Sequence, residues 1–183
     1  LHDSESNLLR PGNYPSELPG KGLGIFSTKK GKKIAVMNLM GRTFMDPLDC
    51  PFRLADKMLE EIGDQTNCVL LDFHAETTSE KMAMGWHLDG RVSCVVGTHT
   101  HTPTSDERIL DGGTAFLTDA GMTGPYDSVI GVKKEIIVER FKMRKGRRFE
   151  AASKNPWLCG LFLEINDESG KCENLERIQI RSS

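Results

Sequence analysis

Apolar positions in this chain fall into short runs broken by glycine, proline and charged turns. Lys33–Leu39 (KIAVMNL) is one such run, preceded by the basic, turn-forming stretch Thr28–Lys32. With Gly24–Thr28 it predicts two strands joined by a hairpin at Gly31. In Cys50–Ile62, Phe52, Leu54, Ala55, Met58, Leu59 and Ile62 recur at helical spacing, with Pro51 suited to the first turn and Gly63 to the stop. Asn67–Phe73 (NCVLLDF) is apolar almost throughout, the pattern of a strand covered on both faces. Ser79–Leu88 predicts a short helix capped by Thr78 or Ser79, and Val92–Gly97 a second buried strand. Strand, helix and strand in this order imply an α/β sheet with crossover connections.

The second half changes character. Arg108–Leu110 and Thr114–Thr118 flank Asp111-Gly112-Gly113, a strong hairpin sequence. Lys133–Phe141 reads as a helix with Ile136, Ile137 and Phe141 near one face. Arg148–Ala152 and Trp157–Ile165 read as strands, Asp167–Gly170 as a turn, and Leu175–Ile180 as an alternating, half-exposed strand. The expectation is a mixed sheet and an antiparallel sheet packed face to face with helices outside, forming one domain over residues 1–183.

Composition adds constraints. The chain has 183 residues, a formal net charge of −2, 38% hydrophobic and 27% charged residues, ordinary values for a globular protein. No apolar run approaches the ~20 residues of a membrane helix and no secretory pattern opens the chain, so the expected compartment is the cytoplasm, with no membrane partner. The five cysteines (Cys50, Cys68, Cys94, Cys159, Cys172) are widely spaced without a C-x-x-C pair, which predicts free thiols. Leu1–Arg10 reads as the end of a helix or loop already under way, the pattern of a processed start or a fragment.

Candidate chemistry centres on histidine. Of His2, His74, His87, His99 and His101, three sit at the ends of the two most buried strands: His74 in Asp72-Phe73-His74-Ala75-Glu76, and His99 and His101 in Thr98-His99-Thr100-His101-Thr102. Open α/β sheets place ligands at strand carboxyl ends, and neutral imidazole is a common ligand of first-row metals. Spacing alone leaves two readings open, a metal site or polar loop residues. Asp72 and Glu76 either orient an imidazole or make ordinary loop hydrogen bonds. His2 and His87 read as structural. Gly20-Lys21-Gly22-Leu23-Gly24 lacks the strand-then-helix context of a phosphate loop and reads as a turn. The basic runs Lys29–Lys33 and Lys142–Arg148 lack interleaved aromatics and read as solvated surface before they read as an RNA contact. Gly121–Asp127 is a loop whose role the sequence does not assign.

The block Asp72–Gly131, with Asn38–Phe52 (NLMGRTFMDPLDCPF) and Arg10–Gly22 (RPGNYPSELPGKG) upstream of it, resembles the YmdB-type calcineurin-like metallophosphoesterases from about Arg10 to the end. The resemblance implies a four-layer α/β/β/α sandwich, here lacking its N-terminal strands, and a dinuclear centre of iron or manganese that hydrolyses phosphoesters such as 2′,3′-cyclic nucleotides. It implies that His74 and His99 hold one metal and His101 the other. In the family an early aspartate, a bridging glutamate followed by asparagine, and a Gly-Asn-His motif with the catalytic histidine lie in a preceding segment. None of these precedes Leu1, and three neutral imidazoles do not satisfy two divalent cations. The resemblance therefore implies the C-terminal part of the domain, inactive alone, with the N-terminal segment as its partner, a small phosphoester or cyclic nucleotide as substrate, and self-pairing through exposed strand edges. Two other readings stay open: a non-catalytic regulatory or RNA-binding module, and a mononuclear metal hydrolase using His74, His99 and His101.

Overall fold

The computed structural model describes residues 5–144 and 146–182. The Leu1–Arg10 reading thus falls partly outside the described residues, as do His2 and Lys145 of the second basic run. Strands β1 (Leu23–Ser27) and β2 (Lys33–Met40) form the expected antiparallel hairpin, turning at Gly31 with φ +76°. Helix α1 (Pro51–Ile62) crosses over to β3 (Val69–His74), which runs parallel to β2, and helix α2 (Thr78–Leu88) crosses over to β4 (Cys94–Thr98), parallel to β3. The hairpin of β5 (Arg108–Ile109) and β6 (Ala115–Leu117) completes a six-stranded sheet in the order β1-β2-β3-β4-β6-β5. Beyond it, β7 (Gly124–Pro125), helix α3 (Lys134–Met143), β8 (Pro156–Ile165) and β9 (Cys172–Arg181) follow, and the three strands form an antiparallel sheet.

The near-continuous apolarity of β3 and β4 has a direct cause. Val69, Leu71, Phe73 and Val95 point to the helical side and pack with Ala35, Met37 and Leu39 of β2 against Ala55, Met58 and Ile62 of α1 and Met84 and Leu88 of α2. The opposite face presents Leu70, Cys94, Val96 and Ala115 to Leu161, Leu163, Cys172 and Leu175 of the small sheet. Each buried aliphatic side chain contributes about 1.5–3 kcal/mol, so the run is apolar because both faces are covered. Helices, a large sheet and a small sheet make three layers. On the outer face of β8 and β9, Leu158, Phe162 and Ile180 stand exposed, so the fourth layer is not seen over these positions among the described residues.

Local readings needed three corrections. The cap of α2 is Thr77, one residue before the expected pair: its backbone is extended, and its hydroxyl accepts the Glu80 N–H at 3.4 Å. Arg148–Ala152 forms no strand, only a bridge between Ala151 and Val132. Two backbone hydrogen bonds hold that stretch, Lys133 N–H to the Glu150 carbonyl and Ala152 N–H to the Gly131 carbonyl, with Arg140 lying over the Phe149 ring at 5.0 Å. Phe141 is exposed, whereas Ile136 and Ile137 are buried.

All five cysteines are free. Burial, together with neighbouring Cys172, pushes the Cys94 thiol up to about 12, while the Arg53 N–H in the first turn of α1 lowers that of half-buried Cys50. The thiolate is the nucleophile, so iodoacetamide near neutral pH is expected to label Cys50 well before Cys94, as peptide mapping of a time course would show. No described helix is long and apolar enough to cross a membrane.

Candidate metal-binding site

Parallel pairing sets the site. His74, the last residue of β3, stands in register with Thr98, the last of β4, so the loops that follow leave the sheet side by side. The His74 and His99 rings meet edge to face with centroids 4.9 Å apart, and His74 Nε2 lies 3.1 Å from His99 Nδ1. The other nitrogen of each ring is held. Glu76 Oε2 accepts from His99 Nε2 at 2.7 Å, and His74 Nδ1 shares a hydrogen bond with Thr98 Oγ1 at 3.1 Å. Thr98 in turn donates to Asp72 Oδ1 at 3.3 Å, and Asn38 Nδ2 donates to Asp72 Oδ2 at 2.8 Å. Because the threonine proton is committed to Asp72, His74 is the donor to Thr98. That network assigns a lone pair to each of the two facing nitrogens. Two lone pairs at this separation repel unless a proton or a metal ion lies between them. Metal–imidazole bonds of about 2.0–2.1 Å span such a gap, so the donor set fits two ligands of one ion.

Electrostatics favours the ligand form. Burial, reinforced by His99, lowers the pKa of His74, which keeps its imidazole neutral. Burial raises that of Asp72, and its hydrogen bonds from Thr98 and Asn38 only partly offset the shift.

The loop carrying the second and third histidines is held in an uncommon conformation, with φ +123° at His99 and +65° at His101. A buried ion pair fixes it. Lys81 Nζ and Asp119 Oδ2 are 2.8 Å apart, with both side chains only 1% exposed. The same Asp119 oxygen accepts the Thr100 N–H at 2.9 Å, while its Oδ1 accepts the Gly121 N–H at 2.9 Å. Burial alone would raise the Asp119 carboxyl, but Lys81 and these two amides hold it below the usual carboxylate range. Further along, the Met122 N–H donates to the His101 carbonyl at 3.0 Å. Just before the loop, Gly97 of β4 backs onto β6's exit so closely that a Cβ would lie 1.8 Å from the Thr118 carbonyl oxygen.

The structure thus brings His74 and His99 together and adds Glu76, Thr98 and Asp72 around them. His101 is exposed on the same loop but does not join them, and no group of three or more histidine, cysteine, aspartate or glutamate side chains gathers into a metal cage among the described residues. His87 contacts Asp56 at 3.0 Å and the Phe52 ring edge, a structural role as expected. Sequence reasoning missed Lys81. Its trace was a lysine in line with Met84 and Leu88 on the inward face of α2, where an ammonium needs a buried partner. The basic runs are partly neutralised by carboxylates: Lys32 pairs with Asp167 at 2.5 Å and Arg147 with Glu139. In the Gly121–Asp127 loop, Tyr126 stacks on Trp157 with centroids 4.0 Å apart.

Comparison with known proteins shows the family to which the chain is similar. The family described as YmdB-like protein matches residues 1–178. The 2′,3′-cyclic-nucleotide 2′-phosphodiesterase of Bacillus subtilis is 49% identical over 178 residues, covering 97% of this chain and 67% of the relative. The crystal structure of a hypothetical protein from Thermus thermophilus superposes with a TM-score of 0.88 at 42% identity, over 96% of this chain and 68% of that one. That of a novel phosphatase from Mycoplasma pneumoniae superposes with a TM-score of 0.89 at 34% identity, over 98% and 65%. The chain therefore spans about two thirds of the length of each.

Proposed function

The chain belongs to the YmdB-like family, and we propose that it carries the histidine part of a metal-dependent phosphodiesterase site acting on small phosphoesters such as 2′,3′-cyclic nucleotides. The observation that carries this reading is the 3.1 Å approach of His74 Nε2 to His99 Nδ1, with each ring's other nitrogen already engaged. Relatives named as a cyclic-nucleotide phosphodiesterase and a phosphatase supply the reaction class. In this proposal His74 and His99 hold one ion and His101 holds a second, the metals being iron or manganese in keeping with mixed nitrogen and oxygen ligands.

Ions bound there supply positive charge and Lewis acidity to phosphoryl oxygens and to a water. The chain's own residues do the positioning. Glu76 and the Asp72–Thr98 pair fix the imidazole tautomers, and Asp119 with Lys81 sets the loop between His99 and His101. Three neutral imidazoles leave the charge of divalent ions uncompensated, so the proposal includes carboxylate ligands from the third of the relatives' length that this chain does not match. The same segment would supply the fourth layer over Leu158, Phe162 and Ile180 and complete one domain.

The test is manganese-dependent hydrolysis of a 2′,3′-cyclic nucleotide by the protein with and without the unmatched family segment, together with metal stoichiometry. Hydrolysis that a chelator and His101→Ala each abolish is the expected result. Hydrolysis indifferent to chelator, or none even with the added segment, would overturn the reading. A single ion per site that persists in His101→Ala would replace the two-ion centre with a mononuclear one.

A further inference from the structure

The connection after β2 leaves the sheet at the same rim as the histidines. Gly41 donates its N–H to the His74 carbonyl at 2.9 Å, and a side chain at this position would meet Ala75 Cβ and Glu80 Oε2 at 2.6 Å. The Glu80 carboxylate accepts the N–H groups of Arg42 and Thr43, at 3.0–3.2 Å. On the far side the Glu76 N–H donates to Met45 Sδ at 3.2 Å. Between these anchors stands Phe44, 88% exposed and with φ +60°.

That combination has no account in folding. An aromatic residue in the left-handed region is strained, and a ring this exposed gains almost nothing from burial. Both flanks are nonetheless fixed, and one runs through Glu76, the residue whose carboxylate holds His99. A ring displayed on a pinned loop beside a phosphoester-cleaving centre is suited to a flat, apolar ligand face. In a nucleotide substrate, the base is the part with such a face.

We infer that Phe44 is the stacking platform for the nucleobase of a cyclic-nucleotide substrate, an inference that rests on the phosphodiesterase reading above. Every base has a π face, so such a platform tightens binding without selecting strongly among bases. It acts on the bound ground state and transition state alike, which places its effect in KM.

The test compares a nucleoside 2′,3′-cyclic phosphate with base-free ribose 2′,3′-cyclic phosphate in the manganese-loaded enzyme with the unmatched family segment present, for wild type, Phe44→Ala and Phe44→Trp. The wild type is expected to prefer the nucleotide, chiefly through KM. Phe44→Ala is expected to raise the nucleotide KM about tenfold, the size of one base–aromatic stack, and so collapse the preference, while Phe44→Trp keeps it. Melting temperatures of the variants are expected to stay close to wild type, since Phe44 is 88% exposed. An active enzyme whose preference survives Phe44→Ala, or a Phe44→Ala variant that loses stability and activity toward both substrates alike, would overturn the platform while leaving the phosphodiesterase reading in place. A wild type inert toward both substrates even with the unmatched family segment present would overturn that reading and this inference with it.

Discussion

Alanine at His99 is expected to lower kcat/KM for metal-dependent phosphodiester hydrolysis by about a thousandfold, which at 1.36 kcal/mol per decade is roughly 4 kcal/mol of transition-state stabilisation. The side chain makes two connections that no neighbour duplicates: its Nδ1 faces His74 Nε2 at 3.1 Å and its Nε2 is held by Glu76 at 2.7 Å. In the proposed site, removing the ring deletes a ligand and leaves His74 held through Thr98 alone. Glu76→Gln removes the negative charge but leaves a hydrogen-bonding group, and is expected to cost about ten- to a hundredfold, the usual size for a partner that orients a ligand. Steady-state kinetics with manganese, together with metal content after dialysis, separates the two. His99→Ala should lose bound metal outright, whereas Glu76→Gln should bind it more weakly. Equal metal content in His99→Ala and wild type would show that the facing nitrogens are not ligands.

The parts of this site that were legible in the sequence are those carried by local pattern. His74 and His99 were found because each follows a strand whose apolarity marks it as central, and neighbouring parallel strands deliver their last residues to one place. The crossover helices, the two hairpins and the face-to-face packing of the sheets follow from the same kind of pattern. What escaped depends on partners far apart in the chain. Lys81 and Asp119 lie 38 residues apart, and only the folded chain shows that a lysine inside an amphipathic helix meets an aspartate at a strand exit. Arg148–Ala152 had a strand's composition, but Arg140 and Lys133 take its Phe149 and Glu150 side chains. Phe44 had no local mark at all: its meaning lies in an exposure and a backbone angle that sequence does not display.

Lys81→Met is expected to destabilise the fold by about 3–5 kcal/mol at pH 7, because it leaves the Asp119 carboxylate buried without its cation. Both side chains of the pair are 1% exposed, so water does not substitute for the lost partner. The effect has a definite pH dependence. Asp119 titrates below the usual carboxylate range in the folded protein, so its contribution is fully present above the unfolded value of about 3.9 and is lost as pH falls through the lowered folded value. The gap between wild type and Lys81→Met, measured by denaturant unfolding, should therefore be widest near neutrality and shrink as the pH is taken down through the carboxylate range. Pairing Lys81→Met with Asp119→Leu separates stability from positioning. An apolar pair is expected to restore part of the stability, the Thr100 and Gly121 amides being left without their acceptor. With that acceptor gone, the loop between His99 and His101 loses what holds its positive φ angles. Metal affinity in the double variant should stay about ten- to a hundredfold below wild type even though its unfolding midpoint partly recovers. If affinity recovered together with stability, the ion pair would be serving the core alone, and the loop's shape would be set by the backbone contacts at Ala120 and Met122.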